Sequence, residues 1–275
     1  MSPSEIEPAK LLERSGAKLQ TAPIPSNEFI ISVVGIDFTD VPIGDAALAP
    51  AADLPYLRTL VLRGAKVTDA GLSTFRKTQN LETVDLGKTL IRGEGLRELR
   101  YHAVRNLNLA GAPISDAGME NLAEMGHHLS RLCLASTQIT DEGIARLETL
   151  RGLEELDLSQ TKCTGLVLRL LPTGIRQLNL SGTAVTDARL SSLEHLGRLE
   201  HLDLSGTQIT DAALAQIRAE VRAARVHHRN AAARAAERDQ VPPQEPLRYG
   251  TAADAPALIK QIPGRGEQRQ RRRLP

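Results

Sequence analysis

Apolar residues recur along this chain in an order that spaces them first for a short strand and then for a short helix. The pattern is L-x-x-L-x-L-x-x-T-x-I-T-D-x-x-L, and its clearest copy is Leu199–Leu214. Eight copies follow one another at intervals of 22 to 25 residues. They start at Val33, Leu57, Leu81, Val104, Leu129, Leu153, Ile175 and Leu199. A period of this length predicts a repeat architecture in which each copy is one structural unit.

One copy predicts a strand, a tight loop and a short helix. In the copy that starts at Leu199, Leu202 and Leu204 alternate with polar residues, as in a strand with one buried face. Ile209 and Leu214 return to the same core, and a Thr-Asp pair between them marks a helix start. A single copy cannot bury its leucines, so neighbouring copies must stack into a continuous α/β solenoid.

Two polar positions of the pattern are interpreted as structural. We expect the Thr of each loop to bond a backbone group of the turn. These residues are Thr89, Thr137, Thr161, Thr183 and Thr207. We expect the Asp at the start of a helix to cap that helix. The acids are Asp45, Asp69, Asp116, Asp141, Asp187 and Asp211.

Composition divides the chain into an acidic body and a basic end. The net charge is +1, but from Arg218 onward there are 13 Lys+Arg and 6 Asp+Glu, a net charge of +7. The preceding residues therefore carry −6. Aromatic residues make up 2% of the chain and Trp is absent, so aliphatic side chains must fill the interior. Charge asymmetry of this kind suggests an acidic body with a basic tail.

The two cysteines are predicted to point apart and to form no disulfide. Cys133 falls on an outward position of a strand, and Cys163 takes the inward Ile position of its copy. Unpaired thiols fit a reducing compartment. The amino terminus has no apolar signal region, and nowhere do 18 apolar residues run together. We therefore expect a soluble, cytoplasmic monomer without a membrane partner.

Four segments are predicted. Residues 1–32 form an N-terminal cap, with a short helix over residues 4–15 ended by Gly16 and a strand after the prolines that follow. Residues 33–217 form the solenoid, and residues 218–241 continue the last helix as an Ala- and Arg-rich extension. Residues 242–275, rich in Pro, Gly and Arg, are predicted to be a basic disordered tail.

The copies LDLSGTQITDAAL, LVLRGAKVTDAGL, LNLAGAPISDAGM, LCLASTQITDEGI and LNLSGTAVTDARL resemble the bacterial leucine-rich repeats abundant in planctomycetes. Those repeats are similar to the ones in F-box/leucine-rich-repeat receptors and ribonuclease-inhibitor-like proteins. The resemblance covers residues 33–217. It implies a right-handed curved horseshoe, with a parallel sheet on the concave face and short helices on the convex face. Members of this family usually bind another protein through the concave face.

The third, fifth and seventh positions of each copy should project from the concave face of the sheet. The fifth positions form a polar, mildly acidic stripe, and the seventh positions are mostly small. We expect these side chains to receive a basic or hydrogen-bonding segment of a protein. The predicted partner-binding residues are Asp37, Arg63, Asp85, Asn106, Asn108, Arg131, Glu155, Asp157, Gln177, Asn179, His201 and Asp203. The alternative reading is that strand-exposed positions are polar for solubility.

Catalytic chemistry is not indicated. The chain has no G-x-S-x-G, no Gly-rich phosphate loop and no H-E-x-x-H, so we predict a non-enzymatic scaffold without cofactor or metal. A nucleic acid or another anionic surface is the alternative partner, bound through arginines. These are Arg218, Arg222, Arg225, Arg229, Arg271, Arg272 and Arg273. A third possibility, implied by the F-box resemblance, is a substrate receptor of a ubiquitin-ligase-type complex that lacks its own adaptor domain.

Overall fold

The computed structural model describes residues 3–24, 27–220 and 225–227. Ten strands in these ranges form one sheet in chain order. They are β1 (Lys18–Ile24), β2 (Asn27–Asp37), β3 (Thr59–Val61), β4 (Thr83–Asp85), β5 (Asn106–Asn108), β6 (Arg131–Cys133), β7 (Glu155–Asp157), β8 (Gln177–Asn179), β9 (His201–Asp203) and β10 (Arg225–His227). Strands β1 and β2 pair antiparallel, and every later pair is parallel.

The helices of successive copies form a second layer, on the other side of the core from the exposed face of the sheet. The α-helices are α1 (Pro3–Arg14), α2 (Asp116–Ala123), α3 (Asp141–Ala145) and α4 (Asp211–Glu220). The 3₁₀ helices are Asp45–Asp53, Asp69–Lys77, Glu94–Leu99, Gly126–His128, Arg146–Thr149, Leu168–Leu170 and Asp187–Leu193. This alternation of parallel strands with short helices confirms the predicted α/β solenoid.

The core is a continuous aliphatic cluster that follows the repeat. The central residue of each strand from β3 to β9, such as Leu60 or Leu156, is buried together with the apolar residues that flank the strand. Among the residues whose burial is described, Phe38 and Phe75 add aromatic bulk to it. The apolar period therefore predicts the core correctly, because each copy contributes the same inward positions to the layer between sheet and helices.

The tight loop after each strand uses its threonine as predicted. In five copies the hydroxyl donates to the carbonyl three residues earlier, with oxygen–oxygen distances of 2.6–2.7 Å. The pairs are Thr89–Leu86, Thr137–Leu134, Thr161–Leu158, Thr183–Leu180 and Thr207–Leu204. These threonines are buried, so the hydroxyls stabilise the turn and are not presented to solvent.

The prediction that each acid caps its own helix is wrong. The Asp45 carboxylate instead accepts from the backbone N–H of Thr68 at 2.8 Å and from the Thr68 hydroxyl at 2.6 Å, one copy further along. Thr68 is the residue that caps its helix, through Ala70 N–H. The same bridge joins Asp116 to Thr140, Asp141 to Thr164 and Asp187 to Thr210. Stacking brings the next copy's amides nearer to the carboxylate than those of its own helix.

The N-terminal segment forms a hairpin that the sequence does not predict. Helix α1 ends before Gly16, whose φ of 96° requires the left-handed conformation that glycine adopts easily. The first strand was expected only after the prolines, but Pro23 lies within β1, which forms the first edge of the sheet. The Ser32 hydroxyl donates to the buried Glu5 carboxylate and fastens α1 to β2. Strand β2 runs through residue 32, so the N-terminal cap and the solenoid share a strand. The predicted boundary between residues 32 and 33 stays a prediction.

The predicted helical extension over 218–241 is wrong at residues 225–227. Helix α4 ends at Glu220, and β10 then pairs parallel with β9, with Val226 in register with Leu202. Residues 225–227 lie 24 residues after 201–203, so the period continues for one more strand. The unpaired edge of β9 favours this arrangement because it supplies hydrogen-bond partners for the backbone. The rest of the extension and the predicted tail lie outside the described residues.

Candidate partner-binding face

The exposed face of the sheet is built from the third and fifth positions of each copy. These residues flank the buried central residue of each strand and therefore lie on the opposite side of the sheet from the core. Neighbouring strands are in register, so equivalent positions form two straight columns. We call them the third-position column and the fifth-position column.

The fifth-position column is more deeply buried than the sequence suggests. Asn108 and Asp157 are each only 4% exposed, and Cys133 is 3% exposed. Asp37, Asp85, Asn179 and Asp203 are half-buried. The burial follows from the spacing of about 4.8 Å between strands, which makes adjacent side chains cover one another.

Each Asp or Asn of the fifth-position column holds the turn that follows its own strand. One side-chain oxygen accepts from the backbone N–H two residues later at 2.7–2.9 Å. The pairs are Asp37–Thr39, Asp85–Gly87, Asn108–Ala110, Asp157–Ser159, Asn179–Ser181 and Asp203–Ser205. These oxygens therefore have a structural role, which was not foreseen from the sequence.

Burial also weakens the acidity of this column. Desolvation raises the pKa of Asp85 above its ordinary value of 3.8. Hydrogen bonds from the Gly87 amide and the Asn108 side chain, together with the charge of Arg63, lower this pKa but do not cancel the rise. Desolvation likewise raises the pKa of Asp157, although Ser159 and Asn179 donate hydrogen bonds to it. The nearby Asp203 carboxylate raises it further, because two negative charges repel.

The third-position column has more accessible side chains. Thr59, Thr83, Asn106, Arg131, Glu155, Gln177 and His201 are all half-buried. The Asn106 amide donates to the Thr83 hydroxyl at 3.0 Å, and Arg131 Nε lies 2.8 Å from Glu155 Oε1. At the N-terminal end Gly35 has no side chain, and Gln20 of β1 lies over it. Thr83 and Gln20 were missed as site residues, the latter because the hairpin was not predicted.

The seventh positions add little bulk to this face. Gly87, Ala110, Ala135, Ser159, Ser181 and Ser205 follow the two columns along the sheet. Arg63 is the exception, and its charge acts on Asp85. The predicted partner-binding residues therefore lie on one face. Side chains of the third-position column are accessible there, whereas those of the fifth-position column mainly accept hydrogen bonds from the turns.

The alternative arginine site falls almost wholly beyond what the structure describes. Arg218 belongs to α4 and Arg225 to β10. Arg222, Arg229, Arg271, Arg272 and Arg273 lie outside the described residues. Binding of an anionic partner by these arginines stays a prediction.

The cysteines point to opposite sides of the sheet, as predicted, and no disulfide joins them. Cys163 belongs to the aliphatic core, whereas Cys133 is buried within the fifth-position column. Burial, with the neighbouring Asp141 charge, raises the pKa of the Cys163 thiol to about 12. Such a thiol remains protonated at neutral pH and is a poor nucleophile.

No group of three or more His, Cys, Asp or Glu side chains in the described ranges is arranged to hold a metal ion. No helix in the same ranges has both the length and the apolar character needed to cross a membrane. The cytoplasmic location and the monomeric state stay predictions.

Comparison with known proteins points to the same fold. A family model described as Leucine Rich repeat matches residues 53–75, 104–123, 127–147 and 199–217. The crystal structure of internalin C2 from Listeria monocytogenes is similar with a TM-score of 0.60 at 20% identity, over 72% of this chain and 81% of the internalin. An internalin, inlF, of the same species has a TM-score of 0.48 at 19% identity, over 65% of this chain and 56% of its own. No curated protein sequence matches this chain.

The fold is a leucine-rich-repeat solenoid. At such low identity the likeness to internalin C2 concerns the fold alone. The resemblance to planctomycete repeats and to F-box or ribonuclease-inhibitor-like proteins stays a prediction.

Proposed function

We propose that this protein is a non-enzymatic scaffold that binds another protein through the exposed face of its sheet. The observation that carries the proposal is the third-position column, a row of half-buried polar side chains in register, beside seventh positions of little bulk. A rigid sheet holds these side chains at fixed spacing, so this protein loses little conformational entropy when a partner segment binds. Protein binding is also typical of leucine-rich repeats.

The chemistry of the face favours a basic or hydrogen-bonding segment of the partner. Carboxylates outnumber cations there, with Asp37, Asp85, Asp157, Asp203 and Glu155 against Arg63 and Arg131. The Arg131–Glu155 ion pair places one charge of each sign at the middle of the third-position column. Because none of the third, fifth and seventh positions described on this face is aromatic, we propose modest affinity or anchors supplied by the partner.

A charge exchange tests the proposal without adding net charge. The double variant Arg131→Glu with Glu155→Arg reverses the polarity of the pair on the sheet face. Arg146→Glu with Glu120→Arg does the same to an ion pair on the helical side, where Arg146 Nη2 lies 3.2 Å from Glu120 Oε1. Both pairs are partly exposed, so both variants should fold as the wild type does.

The measurement is affinity capture from a lysate of the source cell, with the full-length wild type and both variants, with and without nuclease. We expect the exchange on the sheet face to reduce recovery of the captured protein at least about tenfold, and the exchange on the helical side to leave it unchanged. Equal recovery by all three chains would exclude the sheet face. Recovery lost on nuclease treatment would support the arginine site instead.

A further inference from the structure

The junction between the sixth and seventh copies differs from its neighbours on the helical side. We call the contact between an Asp carboxylate and the Thr of the next copy an aspartate bridge. At this junction Gly165 stands where the acid would be, so the bridge to Thr186 is missing. The sixth copy is also the shortest, with 22 residues and a 3₁₀ helix of three residues, Leu168–Leu170.

His195 supplies a contact across this junction. Its Nε2 atom lies 2.9 Å from the carbonyl oxygen of Leu171 in the sixth copy. Its Nδ1 atom lies 2.9 Å from the carbonyl oxygen of Ser192 in its own copy. A carbonyl oxygen can only accept, so both ring nitrogens must carry hydrogen for both contacts to be hydrogen bonds.

A second histidine gives the contrast. His102 spans the junction of the second and third copies, and its Nε2 lies 3.0 Å from the carbonyl oxygen of Phe75. Its Nδ1 accepts from the backbone N–H of Leu81 at 3.4 Å, so one acceptor and one donor suit the neutral ring. Burial lowers the pKa of His102, which agrees with that form.

We infer that His195 is a pH-sensitive latch: its doubly protonated ring fastens the helical side of the seventh copy to the sixth, and loss of one proton releases one of the two contacts. A neutral imidazole has a single N–H, so one nitrogen lone pair would then face a carbonyl oxygen at 2.9 Å. The strand pairing of β7 with β8 does not involve the ring and persists in both states. Histidine is the side chain whose charge ordinarily changes between about pH 5 and 8.

Other charges near the junction do not replace this contact. The charged residues on the segments packed here are Arg169, Asp187, Arg189, Glu194, Arg198, Asp211, Arg218 and Glu220. Among those whose side chains are described, no carboxylate forms an ion pair with His195, and Asp187 accepts from Thr210. The described neighbours therefore leave the two carbonyl oxygens as the polar partners of the ring.

Amide hydrogen exchange of the full-length protein measures the latch. The reporters are the amides of Glu194, Leu196 and Gly197, which bond to Ser191, Leu193 and His195 around the ring. After correction for intrinsic rates, we expect their protection to fall about fivefold between pH 5.5 and pH 8, as for the loss of one hydrogen bond. The amide of Leu150, in the fifth copy, serves as the internal reference and should not change.

Two variants separate the latch from a general pH effect. His195→Gln cannot donate to both carbonyls as the charged ring does and should abolish the pH dependence at the reporters. His102→Gln is the matched control and should retain it. Protection that does not depend on pH in the wild type, or a pH dependence that survives in His195→Gln, would overturn the inference.

A measurement on the wild type alone remains decisive if His195→Gln does not fold. Nitrogen-15 NMR of the ring should show two hydrogen-bonded N–H groups on His195 at pH 5.5 and one at pH 8. His102 should show a single N–H on Nε2 at both values. A single N–H on His195 at both values would refute the latch.

Discussion

The two polar columns on the sheet face have opposite relations to the fold. The fifth-position column is held between neighbouring strands, and its oxygens accept from the turn that follows each strand. Side chains of the third-position column interact with side chains on adjacent strands, as in the Asn106–Thr83 and Arg131–Glu155 pairs, and remain half-buried. Polar residues on one face can therefore bond to the backbone at one position and remain accessible at the next.

The two columns should differ most in the free energy of unfolding that is lost when a positive charge is placed in each. Asp157→Lys puts an unpaired ammonium at a position that is 4% exposed and removes the acceptor for Ser159 N–H. We expect a loss of about 3–5 kcal/mol in the free energy of unfolding, measured by urea titration. Gln177→Lys, in the adjacent third-position column, should cost no more than about 0.5 kcal/mol. Equal costs would contradict the distinction between the columns.

Removing one amide from each column should give a smaller contrast. Asn108→Ala leaves the Ala110 N–H without its acceptor at a buried position. We expect a loss of about 1–3 kcal/mol in unfolding free energy, because an unsatisfied buried donor retains its desolvation cost. Asn106→Ala breaks only the bond to Thr83 and should cost about 0.5 kcal/mol. A costlier Asn106→Ala, by the same titration, would reverse the assignment of roles.

The pH dependence of Asp157 provides a test of a different kind. Because desolvation raises its pKa in the folded state, folding favours the protonated carboxyl, and this contribution to stability is lost as pH rises above the ordinary value of 3.8. Asp157→Asn has no such loss and keeps an oxygen that can accept from Ser159. The unfolding free energy of the variant should therefore improve relative to the wild type between about pH 4 and pH 7. A relative decline over that range would show that the carboxylate is favourably solvated.

The smallest effect should come from the ion pair of the third-position column. Arg131 and Glu155 have side chains that are 39% and 22% exposed, so water screens their attraction. A double-mutant cycle with Arg131→Ala and Glu155→Ala should give a coupling free energy of about 0.5–1 kcal/mol. A much larger coupling would mean that the pair helps to hold the sheet and is less available to a partner.

Much of this fold could be predicted from the sequence because the same local residue pattern recurs in each copy. Leu202 and Leu204 predict the strand between His201 and Asp203, and the Thr at position 207 predicts its turn bond. Those contacts lie within one copy. The face that carries the candidate site also follows, since residues on either side of a buried strand residue point the other way.

Contacts between copies could not be predicted in the same way. Asp45 stands at a helix start, yet its partner is Thr68, and only stacking shows which amide is nearer. The depth of Asp157 depends on the strands on both sides, and the strand at Arg225–His227 depends on the open edge of β9. Likewise, the contact of His195 with the Leu171 carbonyl joins two copies.

The sequence by itself thus determined the repeat, the core, the strand positions and the polar face, because each depends on residues a few positions apart in one copy. Only the tertiary structure decided which polar groups on that face bond to the backbone and which remain accessible. The reason is physical: burial and hydrogen-bond partners at each position are set by the copy before and the copy after.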